Sequence, residues 1–152
     1  MNGKAKWLAV AVSLIGGFEG LRQTAYMDPV GIPTICFGET LGVKLGDQKT
    51  RAECEGMLIK RIIEFDEGVK RCVKVPISDP QRVAFVSLVY NIGTAPFCKS
   101  SVVKRTNAGD RAGGCEAILM WDKARIGGAL TTLPGLTRRR IAERDLCLKD
   151  SL

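Results

Sequence analysis

The chain has 152 residues, 45% of them hydrophobic, and carries 23 Lys plus Arg against 16 Asp plus Glu, a net charge of +7. This length and apolar content fit one soluble domain with a real core, and the positive balance implies an anionic partner. Histidine is absent, which excludes Ser-His-Asp and Cys-His nucleophile systems and disfavours peptidoglycan amidases and most metallopeptidases, whose zinc sites need it.

Acid–base chemistry therefore falls to carboxylates, Lys, Tyr or Cys. Nucleic acid is not expected as the partner. The charge is dispersed, aromatic residues make up 6% of the chain, and no zinc-finger or RNA-recognition motif appears.

The N-terminal segment has Lys4 and Lys6, then an uncharged run from Trp7 to Phe18. The layout is signal-like, but the run is shorter than the roughly 20 residues that span a bilayer. Trp7, Leu8, Ala11, Leu14, Ile15 and Phe18 fall at helical spacing. The segment thus reads as an amphipathic helix of the mature fold, ending at Gly16-Gly17 or just beyond.

Glu19 follows this run, Asp28 comes nine residues later, and Thr34 six after that. Tyr26, Pro29, Gly31 and Pro33 lie among them, so the acids leave a helix end and enter a turn. Two carboxylates across one cleft are what glycosidic hydrolysis needs. Glu19, behind Ile15-Gly16-Gly17-Phe18, is the candidate general acid, since poor hydration favours a protonated carboxyl. Asp28, in a wetter turn, is expected to stay ionised, and the Thr34 hydroxyl can orient a water beside it.

From Thr24 to Gly46 the alternation in Thr34-Ile35-Cys36-Phe37 reads as a small β-hairpin or three-stranded sheet. Thr50-Arg51-Ala52-Glu53 is a capping box. The stripe Cys54, Leu58, Ile62, Phe65, Val69 and Cys72 predicts a long helix reaching about Arg71. Asp79-Pro80 fits an N-cap and first-turn proline, and that helix stops at Gly93. Helical segments follow near 99–106 and 111–121. A Gly/Pro-rich loop over 127–135 precedes a last helix over about 137–147. The plain reading of Arg138-Arg139-Arg140 is a solvated helix start.

The six cysteines, Cys36, Cys54, Cys72, Cys98, Cys115 and Cys147, are spread without a C-x-x-C pair. They read as structural disulfides of an oxidising compartment. The sequence does not choose among the pairings. A sequential set, Cys36–Cys54, Cys72–Cys98 and Cys115–Cys147, is preferred because each bridge ties neighbouring elements. The fold class is α+β: one domain over 1–152, with a β lobe near 20–48, a connecting helix near 50–72, and a helical lobe near 73–152 joined by the N-terminal helix.

The ordered set of motifs resembles the phage lysozymes, glycoside hydrolase family 24. It comprises Glu19-Gly20, Tyr26-Met27-Asp28, Gly31-Ile32-Pro33-Thr34-Ile35, Asn91-Ile92-Gly93, Trp121, Gly127-Gly128 and the run Gly135-Leu136 through Glu143-Arg144. The resemblance covers nearly the whole chain. It implies a lysozyme-like fold with a cleft between the lobes and an endolysin cleaving peptidoglycan between N-acetylmuramic acid and N-acetylglucosamine. It also implies Glu19, Asp28 and Thr34 as the catalytic set, inversion at the anomeric carbon, and no metal or cofactor. Asn91, Ser100 and Tyr26 become substrate-contacting candidates, and Arg139 a partner for Glu19.

Where relatives usually carry a His after the Gly closing the first β segment, this chain has Glu39 after Gly38. The family's His commonly pairs with an acid on the connecting helix, and Arg61 aligns there. A charge-swapped Glu39–Arg61 pair tying the β lobe to the helix is therefore expected; an exposed pair would contribute about 0–1 kcal/mol. Cys36 lies two residues past Thr34, so its bridge is either a staple or a redox control on that strand.

The expected partners are peptidoglycan and anionic outer-membrane components, and the expected state is a monomer. Action is expected in the periplasm or cell wall, after export or release from a phage-infected host cytoplasm. Two other readings compete. A lytic transglycosylase would leave Asp28 and Thr34 idle, and a non-catalytic cationic wall- or membrane-disrupting protein would leave the acid pair idle.

Overall fold

Asn2 opens the first helix, its side chain accepting from the Ala5 amide at 3.0 Å. In the computed structural model, which describes residues 2–152, α1 runs Gly3–Glu19 and buries Trp7, Ala11 and Ile15 on one face. Gly20 ends it at φ 73, a left-handed value favouring glycine. The last helical residue is therefore Glu19, held at the lip of the first strand.

The chain then forms an antiparallel hairpin, β1 (Arg22–Met27) and β2 (Pro33–Cys36), pairing Tyr26 with Thr34 and Met27 with Pro33. It is two-stranded; in place of the third strand considered from sequence there are isolated bridges, Thr24 to Gln48 and Ile35 to Glu39.

Helix α2 (Arg51–Cys72) begins with the Thr50/Glu53 capping box. Its core face is Cys54, Leu58, Ile62 and Val69, and it also buries Asp66. Helix α3 (Asp79–Ile92) is capped by Ser78, not Asp79. The Ser78 hydroxyl and the Gln81 side chain form a second capping box, and Asp79 is the first helical residue. Every residue from Val83 to Val89 is buried, which makes α3 the central helix packed on α1, α2 and the last helix.

Beyond Gly93 come α4 (Thr94–Cys98), α5 (Ser101–Asn107), α6 (Arg111–Ala117) and a 3-10 turn over Ile118–Met120. The segment read as a loop is instead a second hairpin, β3 (Lys123–Ile126) with β4 (Ala129–Thr132). Gly127 and Gly128, at φ 58 and 81, supply its two-residue turn. Helix α7 (Pro134–Cys147) starts three residues earlier than the sequence indicated, with Pro134 in its first turn.

Three disulfides stitch these elements: Cys36–Cys54 joins β2 to α2, Cys72–Cys98 joins α2 to α4, and Cys115–Cys147 joins α6 to α7. Among the described residues no helix is long and apolar enough to cross a membrane.

Candidate active site

Glu19 keeps 22% side-chain exposure, and Arg139 of α7 donates through Nη1 to its Oε1 at 2.6 Å. The apolar setting inferred from sequence is thus a half-buried one shared with a guanidinium. Arg139 is itself fixed on several sides. It lies over the Phe18 ring at 4.7 Å and donates to the Ser87 carbonyl at 3.1 Å and to Glu143 at 3.4 Å. The other oxygen of Glu19 faces Gly38, where a Cβ would stand 3.4 Å from Oε2. Gly38 also has φ 84, so two constraints favour glycine there.

Asp28 ends the first hairpin strand. Its Oδ1 accepts from the amides of Val30 and Ile32 at 2.9 and 2.8 Å, and its backbone closes the turn with Gly31 and Ile32. Oδ2 has no intramolecular donor among the described residues. Thr34, opposite Tyr26 across the hairpin, is 4% exposed and donates to the Ile32 carbonyl at 2.9 Å. Its hydroxyl therefore has acceptor capacity left. Tyr26 is half-buried, with the Arg22 guanidinium 4.1 Å from its ring centre.

Beside Gly38 lies a hollow lined by Gly38, Glu39, Thr40, Arg61, Phe65 and Tyr90. Arg61 grips Glu39 with two bonds of 2.8 Å. The expected pair is present and is partly buried: the Glu39 side chain is 11% and that of Arg61 29% accessible. The Arg61 guanidinium holds the Glu39 carboxyl below the usual carboxylate range, against burial and with help from the Leu41 and Thr40 amides. Tyr90 donates to the Phe37 carbonyl at 2.6 Å. Burial, with Glu19 and Glu39 nearby, pushes its phenol well above the ordinary tyrosine range.

Asn91 is exposed at the end of α3 and accepts from Arg140. Ser100 is 5% exposed, its hydroxyl donating to Phe97 O at 2.6 Å and capping α5. That hydroxyl is committed to the fold rather than presented to a ligand. Of the arginine run only Arg138 is exposed as a solvated helix start would be; Arg139 and Arg140 are 7% and 0% exposed.

Sequence reasoning passed over Glu143 and Ser87. Glu143 is fully buried between Arg139 and Arg140, and Ser87 donates to it at 2.5 Å. A charge cluster was signalled by Glu143 lying four residues after Arg139 and three after Arg140.

Residues 16–143 match the family model described as phage lysozyme. The chain is 40% identical over 154 residues to the SAR-endolysin of Pseudomonas phage phiKMV, covering 99% of this chain and 95% of that one. Its structure is similar to an endolysin from Escherichia coli O157:H7 phage FAHEc1, at TM-score 0.87 and 37% identity, covering 93% and 92% of the two chains. It is equally similar to the muramidase domain of SpmX from Asticaccaulis excentricus, at TM-score 0.87 and 34% identity, covering 92% and 95%.

Proposed function

The chain belongs to the phage lysozyme family, has the lysozyme-like α+β fold, and on that premise we propose that it is a phage endolysin acting as a muramidase. It hydrolyses the β-1,4 bond between N-acetylmuramic acid and N-acetylglucosamine in peptidoglycan, and so lyses the host cell. The observation that carries this reading is the Glu19 carboxylate. As the last residue of α1 it is held at 2.6 Å by Arg139 of α7, and the hairpin with Asp28 in its turn and Thr34 on its second strand begins three residues later.

In the proposed reaction Glu19 gives its proton to the leaving glycosidic oxygen as the C–O bond breaks. Asp28 takes a proton from a water that attacks the anomeric carbon from the opposite face, giving inversion. The two amides on Oδ1 hold the Asp28 carboxylate and leave Oδ2 for the water. Thr34 accepts a hydrogen bond from that water. Tyr26 and Asn91 contact the glycan. The substrate is reached outside the cytoplasm, and the enzyme works as a monomer.

The test is the anomeric configuration of the first-formed reducing end, followed by proton NMR, with Asp28→Asn alongside. The α anomer from wild type and loss of activity in Asp28→Asn by at least about 100-fold support the reading. A first-formed β anomer contradicts inversion.

A further inference from the structure

Four ionisable side chains meet at the candidate acid, Glu19 among them. Arg139 and Arg140 are the cations; Glu19 and Glu143 are the anions. Glu143 is 0% exposed and Arg140 is 0% exposed. One oxygen of Glu143 accepts from Ser87 at 2.5 Å and from Arg139 Nε at 3.4 Å. The other lies 3.0 Å from Arg140 Nη1 without a well-directed hydrogen bond. Arg140 reaches on to Asn91. The buried carboxylate is thus linked through one guanidinium to Glu19 and through the other to Asn91.

We propose that Glu143 is a positioning residue that sets the geometry and proton affinity of Glu19 through Arg139, and holds Asn91 through Arg140. This rests on the reading of Glu19 as the general acid. A general acid must carry a proton before each turnover. With Glu19 protonated, the cluster holds two guanidiniums, which do not deprotonate. Without the Glu143 charge they would stand buried with no counter-ion, a costly arrangement. Glu143 therefore makes the protonated state of Glu19 cheaper to reach.

The surrounding groups are few. Helix α7 supplies Arg139 and Arg140, α3 supplies Ser87, Asn91 and the neutral Tyr90, and α1 supplies Glu19. Asp122, after the 3-10 turn, acts on Arg140 at longer range, and Glu39 acts on Tyr90. Burial raises the Glu143 carboxyl above the ordinary carboxylate range, outweighing the opposing guanidiniums and the Ser87 hydroxyl; the two guanidiniums and that hydroxyl are what favour its charged form.

The experiment is the pH profile of muropeptide release by wild type, Glu19→Gln and Glu143→Gln, all with their disulfides formed. Removing the Glu143 charge strengthens the positive field on Glu19 and makes its proton easier to lose. The alkaline limb of Glu143→Gln is expected about one pH unit lower than that of wild type, a tenfold loss on that side. A limb that coincides with wild type, with activity merely scaled down at every pH, overturns the inference. Wild type without hydrolysis, or Glu19→Gln that retains it, removes the assignment of Glu19 and this inference with it. If Glu143→Gln does not fold, Glu143→Asp decides. It keeps the buried charge but withdraws it by one methylene from Arg139. A limb displaced the same way supports the inference, and an unmoved limb overturns it.

Discussion

Glu39 shows how one residue change is absorbed. Its carboxylate receives two bonds from Arg61 and amide bonds from Thr40 and Leu41, and removing one partner of a partly buried pair costs more than breaking an exposed one. Arg61→Met leaves that carboxylate without its cation and is expected to lower unfolding free energy by about 2–3 kcal/mol near neutral pH. Because the folded Glu39 pKa is depressed, its contribution is complete above the unfolded carboxylate value. It fades as pH falls through the lower folded value. Urea unfolding of wild type and Arg61→Met should therefore show a gap near pH 7 that narrows near pH 3. A gap that is the same at both pH values would contradict the account. The pairing was legible from the motif, since Gly38-Glu39 aligned with a recognisable break in pattern. Its burial was not, because the hollow around the pair is closed by Tyr90 of α3 as well as by Phe65 of α2, a neighbour that only the tertiary fold supplies.

At the scale of elements, capping locates where each helix begins. Ser78→Ala should cost about 1 kcal/mol, whereas Asp79→Ala, outside the cap, should cost only a few tenths of that through the helix dipole. Chemical denaturation of the two variants checks this, and the reverse ranking would restore Asp79 as the cap. The misplacement is instructive: Asp79-Pro80 is a familiar helix start, but the Ser78/Gln81 pair satisfies the amides reciprocally and wins. The long helices were legible because α1 and α2 each repeat a buried stripe over many turns. The β3–β4 hairpin was not. Its strands are four residues each and mostly exposed, so no apolar alternation marked them, and only Gly127-Gly128 carried the turn signal. The starts of α7 and its buried arginines were hidden for related reasons. Pro134 looks like a breaker but suits a first turn, and three consecutive arginines look solvated unless Glu143 is read with them.

At the scale of the molecule, three bridges hold short helices and a small hairpin in place. The Cys115–Cys147 bridge closes 32 residues of separation between α6 and α7, and α7 carries Arg139. Replacing both cysteines by Ala should lower stability by about 3–4 kcal/mol on the chain-entropy account, read from urea midpoints; an unchanged midpoint would contradict it. On the proposed reading, the net charge of +7 should add a non-specific attraction to an anionic wall, which added salt should weaken. On the same reading, hydrolysis itself depends on Glu19 and Asp28. The most direct test of the central claim is mass spectrometry of the products released from purified peptidoglycan by wild type and by Glu19→Gln. The account predicts reducing muropeptides from wild type and none from Glu19→Gln. Anhydro-muropeptides from wild type, or soluble products undiminished by Glu19→Gln, would contradict it.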